Sequence, residues 1–154
     1  MNSKRFLWSA CILVLLFSLF FKIPVIKLDF GHAIYYLEKD EFELRWIHSV
    51  EKEEWVEKYI RDSDELILTE TYFKTFGAGV PSDGEIMGLH DGYIHMKIDQ
   101  RFRELNLTVS ENVKTTIISD NAELPLYEII SDYESVIISI EYLHIWEYIG
   151  GEFL

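Results

Sequence analysis

From Phe42 the chain alternates apolar and polar side chains: Phe42, Leu44, Trp46 and His48 fall on one side, Glu43, Arg45, Ile47 and Ser49 on the other. A period of two is the mark of a strand with one face buried. The same texture recurs at short spacing in residues 55–61 and 66–73, separated by the charged stretches Glu51-Lys52-Glu53 and Asp62-Ser63-Asp64. Asp83-Gly84 and Asp91-Gly92 are tight-turn pairs, and the second predicts a two-residue hairpin between residues 86–89 and 93–98. Residues 33–38, 102–109, 114–118 and 135–142 are further predicted strands; 121–131 is ambiguous and could hold a short helical turn. Short strands with turn signals between them predict a mainly β domain, an antiparallel sandwich or barrel-like fold.

The N-terminus has a different pattern. Residues 6–21 (FLWSACILVLLFSLFF) carry no charge and follow Lys4 and Arg5. As a helix this run is about 24 Å long, short of a hydrocarbon core of about 30 Å. Snorkelling of Lys22 and inclusion of residues 23–26 would lengthen it enough to span. A cleaved secretory signal needs small residues at the end of the run, where Ser18-Leu19-Phe20-Phe21-Lys22 stands instead. Cys11 lies inside the apolar run behind a bulky Trp8, which argues against a lipoprotein. The expectation is a cytoplasmic tail at 1–5, an uncleaved transmembrane signal-anchor helix at 6–26, and an extracytoplasmic domain at 28–154.

Charge sharpens that picture. Lys and Arg number 14 against 27 Asp and Glu, a net charge of −13 over 154 residues, and every acidic residue lies at or after Asp29. Such a body repels nucleic-acid phosphates and anionic headgroups, so nucleic acid is excluded as a partner. The single cysteine excludes an intramolecular disulfide and a cysteine-based zinc site.

Two constellations could carry chemistry. If residues 50–53 form the turn after Ser49, then Ser49 faces Glu54, Trp46 faces Glu57 and His48 faces Trp55. His48 and Glu57 then become diagonal neighbours on an apolar face. An imidazole beside a carboxylate there reads either as a base or ligand site, or as a polar pair that holds hairpin register. The second constellation is Phe76-Gly77-Ala78-Gly79-Val80-Pro81. Its glycines could form an anion-binding nest or simply a bulged turn. At least one is predicted to have positive φ, with the segment breaking the ladder as a bulge or as a crossover between sheets. It is neither a dinucleotide fingerprint nor a P-loop. His90 and His95 flank a tight turn and are not expected to converge on a metal. His48 and Ser49 point to opposite faces and make no nucleophile dyad. With no converging nucleophile, base and oxyanion set, an enzyme is the less favoured reading, and no cofactor is implied.

Through Trp46-Ile47-His48-Ser49-Val50-Glu51-Lys52, Glu57 and Phe76-Gly77-Ala78-Gly79-Val80-Pro81, the chain resembles a bacterial domain-of-unknown-function family, the one numbered 1850. The likeness is sharpest from about Phe42 to Pro81. The resemblance implies a short, single-anchor membrane protein of the kind often encoded beside TRAP-type transporters with TAXI-class solute-binding subunits. It lends no catalytic residues, and it directs attention to His48, Ser49, Glu57, Gly77 and Gly79. Two functions follow as expectations: an extracytoplasmic accessory module contacting a TRAP-type permease or solute-binding subunit, or a small-ligand or metal site built from His48 and Glu57 near the loop of Gly77 and Gly79.

Overall fold

The structure is a computed structural model that describes residues 3–120 and 122–154, with side chains described from Leu7 onward except at Val14. Met1 and Asn2 of the expected tail, and Asn121 at the head of the ambiguous segment, lie outside the described residues.

Helix α1 (Ser3–Phe20) is followed after one residue by strand β1 (Lys22–Asp29) and then β2 (Ile34–Leu37). Next come β3 (Glu41–Ile47), β4 (Glu54–Asp62), β5 (Glu65–Phe73), β6 (Glu85–His90) and β7 (Tyr93–Phe102). The chain ends with β8 (Glu104–Thr108), β9 (Thr116–Ser119), β10 (Ala122–Pro125), β11 (Ser135–His144) and a short helix α2 (Ile145–Gly150). Among the described residues the strands pair antiparallel into two sheets, a four-stranded one in the order β2-β1-β11-β8 and a seven-stranded one in the order β10-β9-β3-β4-β5-β7-β6. The two face each other as an open sandwich.

The predicted strands are present, with three corrections. Residues 23–26 do not lengthen the helix. They form β1, where Val25 and Ile26 are buried in the sandwich beside Leu28. A β-branched run at 23–26 with Pro24 among it suits a strand better than a helix interior. Among the described residues no helix is long and apolar enough to cross a membrane; α1 has 18 residues, about 27 Å. The second correction is the segment 102–109, which is two strands in different sheets. Phe102 ends β7 and Glu104 opens β8, so the chain changes sheet around Arg103.

The third correction concerns the β3–β4 hairpin. Trp46 faces Trp55, Leu44 faces Glu57 and Ile47 faces Glu54. The pairing continues one step with the N–H of His48 donating to the carbonyl of Glu53 at 2.8 Å. The loop is therefore residues 49–52, one position earlier than expected. Its geometry explains the shift. The N–H of Lys52 reaches back to the carbonyl of His48 at 3.0 Å, and Lys52 takes φ 58° to reverse the chain. Both registers bury the same face, so the alternation alone does not separate them.

The main core lies between the sheets. Ile26, Leu28, Val136 and Ile138 from the small sheet meet Phe42, Leu44, Tyr59, Leu66 and Leu68 from the large one. Four strands do not cover the inner face of seven. The uncovered part carries a second cluster, Trp55, Phe73, Ile94 and Met96, with Trp46 packed against both clusters. Val80 packs on this second cluster from the glycine-rich loop, residues 74–84. That loop carries the chain past β7 to the edge strand β6, a crossover within one sheet rather than between sheets. Gly79 has φ +86°, as the chain reversal there demanded, while Gly77 does not.

Candidate functional site

His48 leaves the end of β3 with its ring stacked on the indole of Trp55, centroids 5.4 Å apart. Trp55 in turn stacks on Trp46 at 5.8 Å and donates from Nε1 to Oγ1 of the fully buried Thr71 at 2.6 Å. Nδ1 of His48 contacts Oε2 of Glu51, three residues on in the same turn. The backbone N–H groups of Val50 and Glu51 both donate to Nδ1, at 3.4 Å.

The Glu51 carboxylate continues to the glycine loop. A Cβ placed on Gly77 would overlap Oε1 and the carboxyl carbon of Glu51. A second tie runs from Thr75 Oγ1 to Glu53 Oε2 at 2.8 Å. The residues His48, Glu51, Trp55 and Thr75 thus join the β3–β4 turn to the loop that covers the second core cluster. The space left among them is about 10 Å³, at most room for one water. This corner is closed. Ser49 is exposed on the turn, and Gly79 has open space around its Cα.

Glu57 is elsewhere. The Trp46–Trp55 pair lies between it and His48, so the expected diagonal contact of His48 and Glu57 is not made. Glu57 instead accepts a 2.5 Å hydrogen bond from the phenol of Tyr59, two residues along the same face. Tyr59 is buried and stacks on Phe42 at 5.1 Å. Burial pushes the Glu57 carboxyl above its ordinary range, partly offset by the Tyr59 hydrogen bond. Burial, together with the neighbouring carboxylate, also raises the Tyr59 phenol, which stays a donor. The two residues line an open cleft of about 290 Å³ between the sheets, with Leu44, Trp46, Leu107 and Val113 as its apolar walls.

The remaining histidines stay apart. His90 and Asp91 are exposed at the hairpin tip, with Asp91 and Gly92 both at positive φ in the two-residue turn. His95 faces Gly88, stacks on Tyr72 at 4.4 Å and lies 3.6 Å from Glu70. Glu70 belongs to a charged row on the outer face of the large sheet, where Lys58 lies 3.7 Å from Glu43 and 3.4 Å from Glu70. Among the described residues no group of three or more His, Cys, Asp or Glu side chains is placed to hold a metal. Two residues carry more of this geometry than their sequence context suggested. Glu51 bridges His48 to Gly77, and its only sequence signal was its place three residues after His48. Tyr59 caps Glu57, and its signal was their shared period-two face.

The fold is a small two-sheet β domain in which Glu51 joins His48 to Gly77, while Glu57 lies apart in the cleft with Tyr59. The chain belongs to the family described as Domain of unknown function (DUF1850), which it matches over residues 42–126, more than half its length. That match covers β3 to β10, and so the whole large sheet, the closed corner and much of the cleft. No curated protein and no solved structure matches the chain.

Proposed function

We propose that the protein is a membrane-anchored accessory module, with its acidic β domain held outside the cytoplasm to contact a TRAP-type solute transporter, its permease or its binding subunit. The observation that carries this reading is the state of α1. Leu7, Trp8, Ile12, Leu13, Leu16, Phe17 and Phe20 are exposed on all sides of the helix, Trp8 at 71% and Phe20 at 83%. A helix apolar all round needs an apolar surrounding, and the β domain covers little of it. Its charge-free part, residues 6–20, is about 22 Å long and falls short of the bilayer core by about five residues, a mismatch that local thinning and snorkelling of the flanking cations would have to absorb. Lys4 and Arg5 in its first turn and Lys22 just after it would mark the two interfaces. The contact with a transporter rests on the family resemblance and on the acidity of the body, which favours basic partner surfaces at low salt.

Membranes from cells making the full chain together with such a transporter test both parts. The expected protein resists extraction at high pH, is digested only by protease added to the extracytoplasmic side, and pulls down the transporter at low salt. Release at high pH would remove the anchor, and repeated failure of capture at low salt would remove the transporter role.

A further inference from the structure

We propose that the cleft between β3–β4 and β8 is a binding site for a small organic ammonium ion carrying an apolar body. The Glu57 carboxylate is half-buried on the inner face of the large sheet, and its one hydrogen-bond partner is the Tyr59 phenol. Among the described residues no Lys, Arg or His side chain pairs with it, whereas Glu43, Glu70, Glu123 and Glu141 all have cationic partners. A carboxylate withdrawn from water and left without a cation is costly to hold, and its raised pKa reflects that cost.

The rest of the cleft suits the counterpart such a group lacks. Trp46 and Tyr59 bring aromatic rings to the same space as the carboxylate, the combination that attracts an ammonium. Leu44, Leu107 and Val113 offer an apolar bed for the remainder of the molecule. At about 290 Å³ the space sits at the lower end of ligand pockets, which limits the occupant to a small molecule. A bare metal ion is a poor fit, since the cleft offers it one carboxylate and otherwise only neutral oxygens, from Tyr59, Asn106, Thr108 and Thr115. An anion would meet the carboxylate and the net charge of −13. The site is independent of the anchor and of any transporter contact.

Benzylammonium chloride and its neutral analogue benzyl alcohol are the probes, titrated calorimetrically into the full chain in detergent at neutral pH. Benzylammonium should bind at least about tenfold more tightly than the alcohol, the difference a charged hydrogen bond makes. Glu57→Gln should abolish that preference while leaving the melting temperature as high or higher. If Glu57→Gln does not fold, Thr108→Trp, which adds bulk at an exposed position on the rim, should block benzylammonium and leave the carboxylate in place. Equal affinity for the two probes, binding unchanged in Glu57→Gln or Thr108→Trp, or no heat at tens of millimolar probe would overturn the assignment.

Discussion

The carboxylate of Glu51 lies directly against the Cα of Gly77, in the volume that any side chain at position 77 would need, while its other oxygen meets Nδ1 of His48. The absence of a Cβ at one position therefore sets the place of a charge that orients a ring.

Gly77→Ala should displace Glu51 and cost up to about 1 kcal/mol, the worth of the lost contact with His48. In a Glu51→Ala background the same substitution should cost close to nothing. Gly79→Ala should also cost about 1 kcal/mol, but through its φ of +86° alone, and so should be indifferent to Glu51. Urea midpoints of the singles and the Gly77→Ala/Glu51→Ala double variant check this. A full Gly77→Ala penalty without Glu51 would refute the relationship.

The buried hydrogen bond from Trp55 to Thr71 gives a second cycle. Trp55→Phe leaves Thr71 Oγ1 without its donor, and Thr71→Val leaves the indole N–H without an acceptor. Each should destabilise the domain by about 1–3 kcal/mol. The double variant should cost less than the sum, because the shared bond is lost once and no indole N–H is left unpaired, the Thr71 hydroxyl in Trp55→Phe still donating to the Val56 carbonyl at 3.4 Å. Additive losses in thermal or urea denaturation would show that the pair is not coupled.

The pH dependence of stability should carry the mark of Glu57. Its folded pKa is raised above the ordinary value of 4.5 by burial. The unfolded chain therefore loses this proton first as pH rises, and in that window the folded state binds more protons. Stability from this group is greatest below pH 4.5 and falls as pH rises towards its folded pKa. Glu57→Gln, which keeps an oxygen for the Tyr59 phenol, should remove that fall and make the protein more stable at neutral pH. Melting curves across pH 4 to 8 for both proteins test it; parallel profiles would contradict the burial argument.

Truncation should separate the helix from the body. Removing residues 1–21 takes away α1 and leaves β1 whole, so the remainder should fold and lose its membrane association. Removing residues 1–26 also deletes Val25 and Ile26, with exposures of 4% and 0%, and breaks the pairing of β1 with β11. Each buried aliphatic side chain is worth about 1.5–3 kcal/mol, against a total stability of about 5–15 kcal/mol, so the second fragment should not fold. Circular dichroism and solubility of the two fragments decide it. A folded 27–154 fragment would place the domain boundary where the apolar pattern alone suggested.

By itself the sequence determined the local elements. Alternation at 42–48 showed a strand and its buried face, Asp91-Gly92 showed a two-residue hairpin, and Pro81 after two glycines showed a break with positive φ. These are signals of period, turn chemistry and steric freedom, each contained within a few residues. Tertiary structure alone decided how the elements meet. Residues 23–26 read as more membrane helix because an apolar run looks alike in lipid and in a core; only the partner β11, more than a hundred residues away, makes them a strand. The β3–β4 register was undecided because both pairings bury the same side chains, and the choice fell to a turn in which Lys52 adopts a left-handed conformation. That two-residue change of pairing separated His48 from Glu57, put His48 beside Glu51, and left Glu57 in a cleft whose far wall comes from β8. A pairing between strands is a long-range choice among locally equivalent options, and local pattern holds no term that ranks them.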